Sequence, residues 1–108
     1  MDSLKNRVYK LLKQVPLGKI TTYKLLAEAS GTKAYRAIGQ ILKNNPYAPQ
    51  VPCHRVVKND GTVGGFMGKT SGKTVAKKIR MLVNEGIIFN GKKIVDFDKV
   101  VFADFKII

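Results

Sequence analysis

A chain of 108 residues and 12.0 kDa has room for one domain and no second. Its 44% hydrophobic and 25% charged residues are the balance of a folded globule, which excludes a disordered chain. Twenty Lys and Arg against seven Asp and Glu leave a formal charge of +13, more than solubility requires, so a polyanion is the expected partner.

Leu4, Val8, Leu11, Leu12 and Val15 recur at helical spacing, which predicts a first helix over Ser3 to Val15, capped by Asp2 or Ser3 and stopped by VPLGK (15–19). Thr21 or Thr22 caps a short second helix carrying Leu25, Leu26, Ala27 and Ala29 and ending at Gly31. Thr32 then caps a third, running to about Lys43 with Ala34, Ala37, Ile38, Ile41 and Leu42 inward, before NNPYAP (44–49) breaks it. Two short helices about a tight turn, with small Ala27 four residues before Gly31, read as a helix-turn-helix. The pattern alone also fits an ordinary helical corner; the charge of +13 turns it toward DNA.

Val56 and Val57 predict a brief strand closed by Asn59, Asp60 and Gly61. After a glycine-rich loop, a fourth helix runs from about Thr74 to Glu85, with Val75, Ile79, Leu82 and Val83 on one face and Gly86 as its stop. Two β-rich arms around Asn90-Gly91 predict a hairpin, a wing beside the helix-turn-helix. The last segment, DKVVFADFKII (98–108), is apolar enough to pack back onto the body. The expected fold class is mainly α with small β elements (α+β), a winged helix-turn-helix-like single domain over 1–108.

Among polyanions nucleic acid leads. A membrane surface would need an apolar stretch of about 18 residues or a strong basic amphipathic helix with aromatic anchors, and the chain has neither. The bland alternative is a merely basic or ribosome-associated protein. GGFMGKTSGKT (64–74) imitates a phosphate-binding loop, but the glycine required five residues before each Gly-Lys-Thr is Val63 in one copy and Met67 in the other, so no nucleotide site is expected.

The only cysteine, Cys53, adjoins the only histidine, His54. One Cys excludes an internal disulfide, and no secretory segment follows Met1, so a reducing compartment, cytoplasmic or nucleoid-associated, is expected. One Cys and one His do not make a structural zinc site without carboxylate help, and no metal is expected. A lone cysteine is most often a small buried hydrophobe. Here Pro52 stiffens the approach, while Arg55 and the cationic field supply the positive potential that favours thiolate over thiol. Adjacent side chains in an extended segment point to opposite sides, so Cys53 and His54 need a bent loop or a bridging water to cooperate. An acid must orient the imidazole, and Glu85 is the choice among seven, although spacing alone does not establish it.

VPLGKITTYKLLAEASGTKAYRAIGQILKNNP (15–46), VPCHRVV (51–57), the glycine loop and LVNEG (82–86) stand in the order seen in the O6-alkylguanine-DNA alkyltransferases, the methylated-DNA-protein-cysteine methyltransferases. The chain resembles that family from about Val15 to Gly86, and Pro-Cys-His-Arg-Val is its signature. The resemblance implies a minor-groove helix-turn-helix, with Thr32, Ala34, Tyr35 and Ala37 at the groove. Ala34 and Ala37 match the small residues that allow close approach, and Tyr35 replaces a usually small neighbour. Arg36 matches the finger that occupies the space left by a flipped nucleotide. Tyr23 matches the tyrosine that rotates the target phosphate and gives its proton to guanine N3. Cys53 is implied to accept the alkyl group irreversibly, with His54 acting through a water, Glu85 orienting His54 and Asn45 fixing the loop. Val56, Gly64, Phe66 and Met67 are the implied pocket, Phe66 and Met67 falling where the family commonly has Tyr-Ser.

The implied partner is double-stranded DNA containing O6-alkylguanine, bound by a monomer, with no cofactor and no membrane. The family's usual N-terminal domain is absent, as in the alkyltransferase-like proteins, which bind the lesion and recruit repair factors without transfer. Those typically carry Trp where this chain has Cys53. A plain winged-helix transcription factor is the third reading.

Overall fold

The computed structural model describes residues 3–65 and 72–106, so Asp2 and Phe66 to Ser71 lie outside it. The Ser3 hydroxyl caps α1 (Leu4–Leu12) by accepting the Asn6 N–H at 3.2 Å. Val8, Leu11, Leu12 and Val15 are buried against Leu26 and Ala27 of α2 (Tyr23–Ala29) and Ile38 and Leu42 of α3 (Tyr35–Lys43). Each large aliphatic chain in this three-helix core contributes about 1.5–3 kcal/mol by leaving water. Tyr9 is buried beside them and donates its hydroxyl to the Ile41 carbonyl at 3.1 Å, pinning α1 to α3.

Thr22 is the cap of α2, accepting from the Leu25 N–H at 3.1 Å. Thr21 and Thr22 also form β1, which pairs in parallel with β2 (Val56–Val57), Thr21 opposite Val56 and Thr22 opposite Val57. Val56–Val57 is the expected strand, whereas Thr21–Thr22 carries too little periodicity to be read as its partner in advance. Helix α3 begins later than predicted. The Thr32 hydroxyl accepts the Ala34 N–H at 3.0 Å in a turn ahead of the helix, and Ala34 holds the cap position with no side-chain bond. Thr32 is therefore not the cap, and Ala34, which precedes the first helical turn, is exposed instead of inward.

Helix α4 (Lys73–Asn84) buries Val75 and Leu82, but Val83 is 49% exposed. Val83 lies about 100° round the helix from Leu82, too far to share its stripe. The inward place is taken by Lys78, at 0% exposure. The hairpin pairs β3 (Phe89–Asn90) with β4 (Lys93–Ile94), Asn90 opposite Lys93, so its turn is Gly91-Lys92, with Gly91 at φ +64. It is tied to the turn after β2 by Val63 N–H to the Lys92 carbonyl and Ile94 N–H to the Gly61 carbonyl, both 2.9 Å. Ile20, Val57, Leu82, Ile87 and Ile94 make a second core there. After α5 (Phe97–Val100), Val101 bridges Ile20, while Phe102 and Phe105, edge to face at 5.0 Å, pack onto the first core. The terminal segment thus closes back onto the body. No described helix is long and apolar enough to cross a membrane.

Candidate active site

Cys53–Arg55 forms a single 3-10 turn, closed by the Arg55 N–H donating to the Pro52 carbonyl at 2.9 Å. Three residues per turn rotate successive side chains by about 120°, so Cys53 and His54 escape the opposite orientation of an extended segment. Both are buried, Cys53 at 5% exposure and His54 at 1%. Asn45, also buried, braces the approach: its Nδ2 donates to the Val51 carbonyl at 2.8 Å and its Oδ1 accepts the Tyr47 N–H at 2.9 Å. Asn45 is in this way a cross-brace of the loop 45–51 that delivers Pro52 and Cys53.

Glu85 closes α4 and meets the turn. His54 Nε2 lies 2.8 Å from Glu85 Oε2, while Arg55 Nε donates to Oε1 at 2.9 Å and Nη2 to Oε2 at 3.1 Å. Arg55 Nη1 also donates to the Val15 carbonyl at 2.8 Å, fastening the group to the end of the α1 segment. Although burial opposes it, hydrogen bonds from Arg55 and His54 hold Glu85 below the usual carboxylate range. An ionised carboxylate only accepts, so His54 carries its proton on Nε2. Burial outweighs the nearby carboxylate and lowers the imidazole below its ordinary value, which keeps it neutral at physiological pH. Its Nδ1 then presents a lone pair. That atom is buried and has no hydrogen-bond partner among the described residues.

The β1-β2 pairing carries the start of α2 to this turn, and Tyr23 with it. Burial, and next the electrostatic influence of nearby Cys53, push the Tyr23 hydroxyl above its ordinary value, so it keeps its proton. Tyr23 also lines a recess of about 340 Å³ with Lys24, Tyr35, Lys58, Asn59 and Asp60. Arg36 and Tyr35 are exposed at the start of α3 beside Ala34, whereas Thr32 and Ala37 are half-buried. Val56 is buried in β2. Gly64 has φ +71, and a Cβ there would stand 3.0 Å from Lys58 Cγ, so only glycine fits without a shift. Phe66 and Met67 lie outside the described residues.

Two residues of the site escaped the sequence reading. In the sequence Arg55 stands out only for its positive potential, and its two-point hold on Glu85 becomes visible in the fold. Lys78 was assigned to no role; its Nζ donates to the carbonyls of Val56, Val63 and Gly65 at 2.7, 2.7 and 2.9 Å. Its spacing, three residues after Val75 and four before Leu82, was the available signal.

Residues 3–87 match the family described as 6-O-methylguanine DNA methyltransferase, DNA binding domain, and the chain belongs to that family. Among particular relatives, the methylated-DNA-protein-cysteine methyltransferase of Rattus norvegicus is 42% identical over 88 residues, covering 80% of this chain and 40% of the relative. That of Pyrobaculum aerophilum is 42% identical over 88 residues, covering 82% and 55%. The chain thus spans about half or less of these curated relatives. The crystal structure of O6-methylguanine-DNA methyltransferase from Pyrococcus kodakaraensis is similar at a TM-score of 0.67 and 40% identity, covering 81% of this chain and 48% of that one. Atl1 of S. pombe, solved with damaged DNA containing O6-carboxymethylguanine, shares the fold at a TM-score of 0.77 and 23% identity, covering 94% and 96%.

Proposed function

We propose that this chain repairs double-stranded DNA by moving an alkyl group from guanine O6 to its own Cys53. The observation that carries the reading is a neutral, buried His54 whose Nε2 is held by Glu85 and whose Nδ1 has no hydrogen-bond partner among the described residues, one residue from the only cysteine. Nδ1 takes the thiol proton through a water. Sγ then attacks the alkyl carbon, the S–C bond forming as the C–O6 bond breaks, and the bonding pair leaves with guanine. Tyr23 meets that developing charge by giving its proton to N3, and the imidazolium then returns its proton to the tyrosinate through water, so that both residues are restored and the net proton transfer is from thiol to guanine.

A thiol at 5% exposure cannot meet a base stacked in a duplex, so the nucleotide must swing out. Arg36, exposed at the head of α3, fills the gap it leaves. The +13 charge supplies the sequence-independent attraction to the backbone. The product is a thioether that water does not cleave, which makes each molecule single-use.

Incubation with an O6-methylguanine duplex under reducing conditions tests the reading. Intact mass should show one CH₂ unit added at Cys53, and Cys53→Ala should leave the lesion in place. Lesion affinity that persists while wild type gains no mass would overturn transfer in favour of binding alone.

A further inference from the structure

We propose that Lys78 is a positioning residue for the reaction at Cys53, holding the strand that leaves the Cys-His-Arg turn and the entry to the glycine-rich loop in one fixed relation. The inference rests on the transfer reading above. An ammonium has three donors, and here three backbone carbonyls take them: Val56, three residues after Cys53, and Val63 and Gly65, immediately ahead of Phe66 and Met67. A neutral amine offers two donors and would turn a lone pair toward the third carbonyl, so the geometry is that of the charged form. No carboxylate pairs with Nζ among the described residues.

Filling space does not explain this arrangement. At 0% exposure a Leu or Met would pack between Val75 and Leu82 without desolvating a charge. What the lysine adds is a tie between two backbone segments that share no direct pairing: β2, bonded to β1, and the stretch 63–65, bonded to the hairpin through Val63 and Lys92. Cys53 is close enough that negative charge on it raises the Lys78 value, against the larger effect of burial, so the knot and the nucleophile share one electrostatic environment.

Lys78→Met keeps the length and removes the donors; Lys78→Arg keeps charge and donors in another shape. Three quantities separate the outcomes: affinity for O6-methylguanine duplex, the single-turnover rate of methyl transfer, and the rate at which iodoacetamide alkylates Cys53 without DNA. Lys78→Met should bind the duplex within about threefold of wild type yet transfer about 100-fold more slowly, the scale of a misplacement near 1 Å, and Lys78→Arg should recover part of the loss. Wild-type transfer in folded Lys78→Met overturns the proposal, as does a loss of binding as large as the loss of transfer. If Lys78→Met does not fold, Lys78→Arg carries the test: slowed transfer with retained binding supports positioning, and an unchanged rate rejects it. If wild type itself transfers nothing, the repair reading has failed separately. Iodoacetamide then decides for Lys78, supporting it if the Cys53 rate changes about tenfold and rejecting it if the rate is unchanged.

Discussion

Arg55 grips Glu85 at two points, Nε to Oε1 at 2.9 Å and Nη2 to Oε2 at 3.1 Å, so the carboxylate that meets His54 is itself held in plane. Bidentate geometry of this kind adds direction as well as energy. Glu85→Gln weakens both contacts and no longer demands a proton on His54 Nε2. The variant should lose about 1–3 kcal/mol of stability and slow transfer about 100-fold or more. Thermal melting and single-turnover assays measure the two effects; an unchanged rate would remove Glu85 from the mechanism.

Tyr23→Phe deletes one hydroxyl from a half-buried ring and little else. Duplex affinity and melting should stay close to wild type, whereas transfer should fall about 100-fold or more, as for a lost general acid. Equal rates would mean that guanine leaves without help from this residue.

Asn45→Ala removes two hydrogen bonds at once and leaves the Val51 carbonyl buried without its partner. The expected cost is about 1–3 kcal/mol, read by denaturant melts, together with slower transfer because the loop bearing Cys53 is loosened. A stability loss under about 0.5 kcal/mol, typical of a surface change, would contradict the brace.

Burial pushes Lys78 down to about 7 from 10.5 and holds His54 below its ordinary 6.5. In both, the unfolded chain binds a proton that the fold releases, so stability rises with pH: below 6.5 on account of His54, and between about 7 and 10.5 on account of Lys78. Glu85, depressed in the fold, adds stability that is lost as pH falls below 4.5. Denaturant melts at about pH 5, 7 and 9 should therefore rank stability upward with pH, and Lys78→Met should flatten the upper step. A wild-type curve that falls between the last two points would refute the lowering of Lys78 by burial.

Arg36→Ala changes an exposed side chain, so stability should move by less than about 0.5 kcal/mol. Affinity for the lesion and the transfer rate should both drop, because nothing fills the stack. If about six phosphates are contacted, wild-type binding should fall with salt at a log-log slope near −5. A slope near zero would exclude the backbone as the main contact.

Much of this site could be read from residue order alone. Helical spacing located α1, α2 and α4 and most of their buried faces, and the Thr22 cap followed from its chemistry. Cys53, His54 and Glu85 were selected because so few residues were available: one thiol, one imidazole and seven acids. Local pattern failed where contacts are distant. The pairing of Thr21-Thr22 with Val56-Val57 links segments 35 residues apart; the β-branched pair Val56-Val57 signals one strand, but nothing local names its partner. Ala34 and Val83 were placed inward by counting, but one precedes the helix and the other sits off its buried stripe. Arg55 and Lys78 were the largest omissions. A charged side chain is assigned to solvent until its partners are known, and their partners, Glu85 and three backbone carbonyls, meet them only once the chain has folded. Composition and spacing determined which chemistry the molecule can hold; the tertiary structure decided which charges are buried, because desolvation depends on what surrounds a group in space.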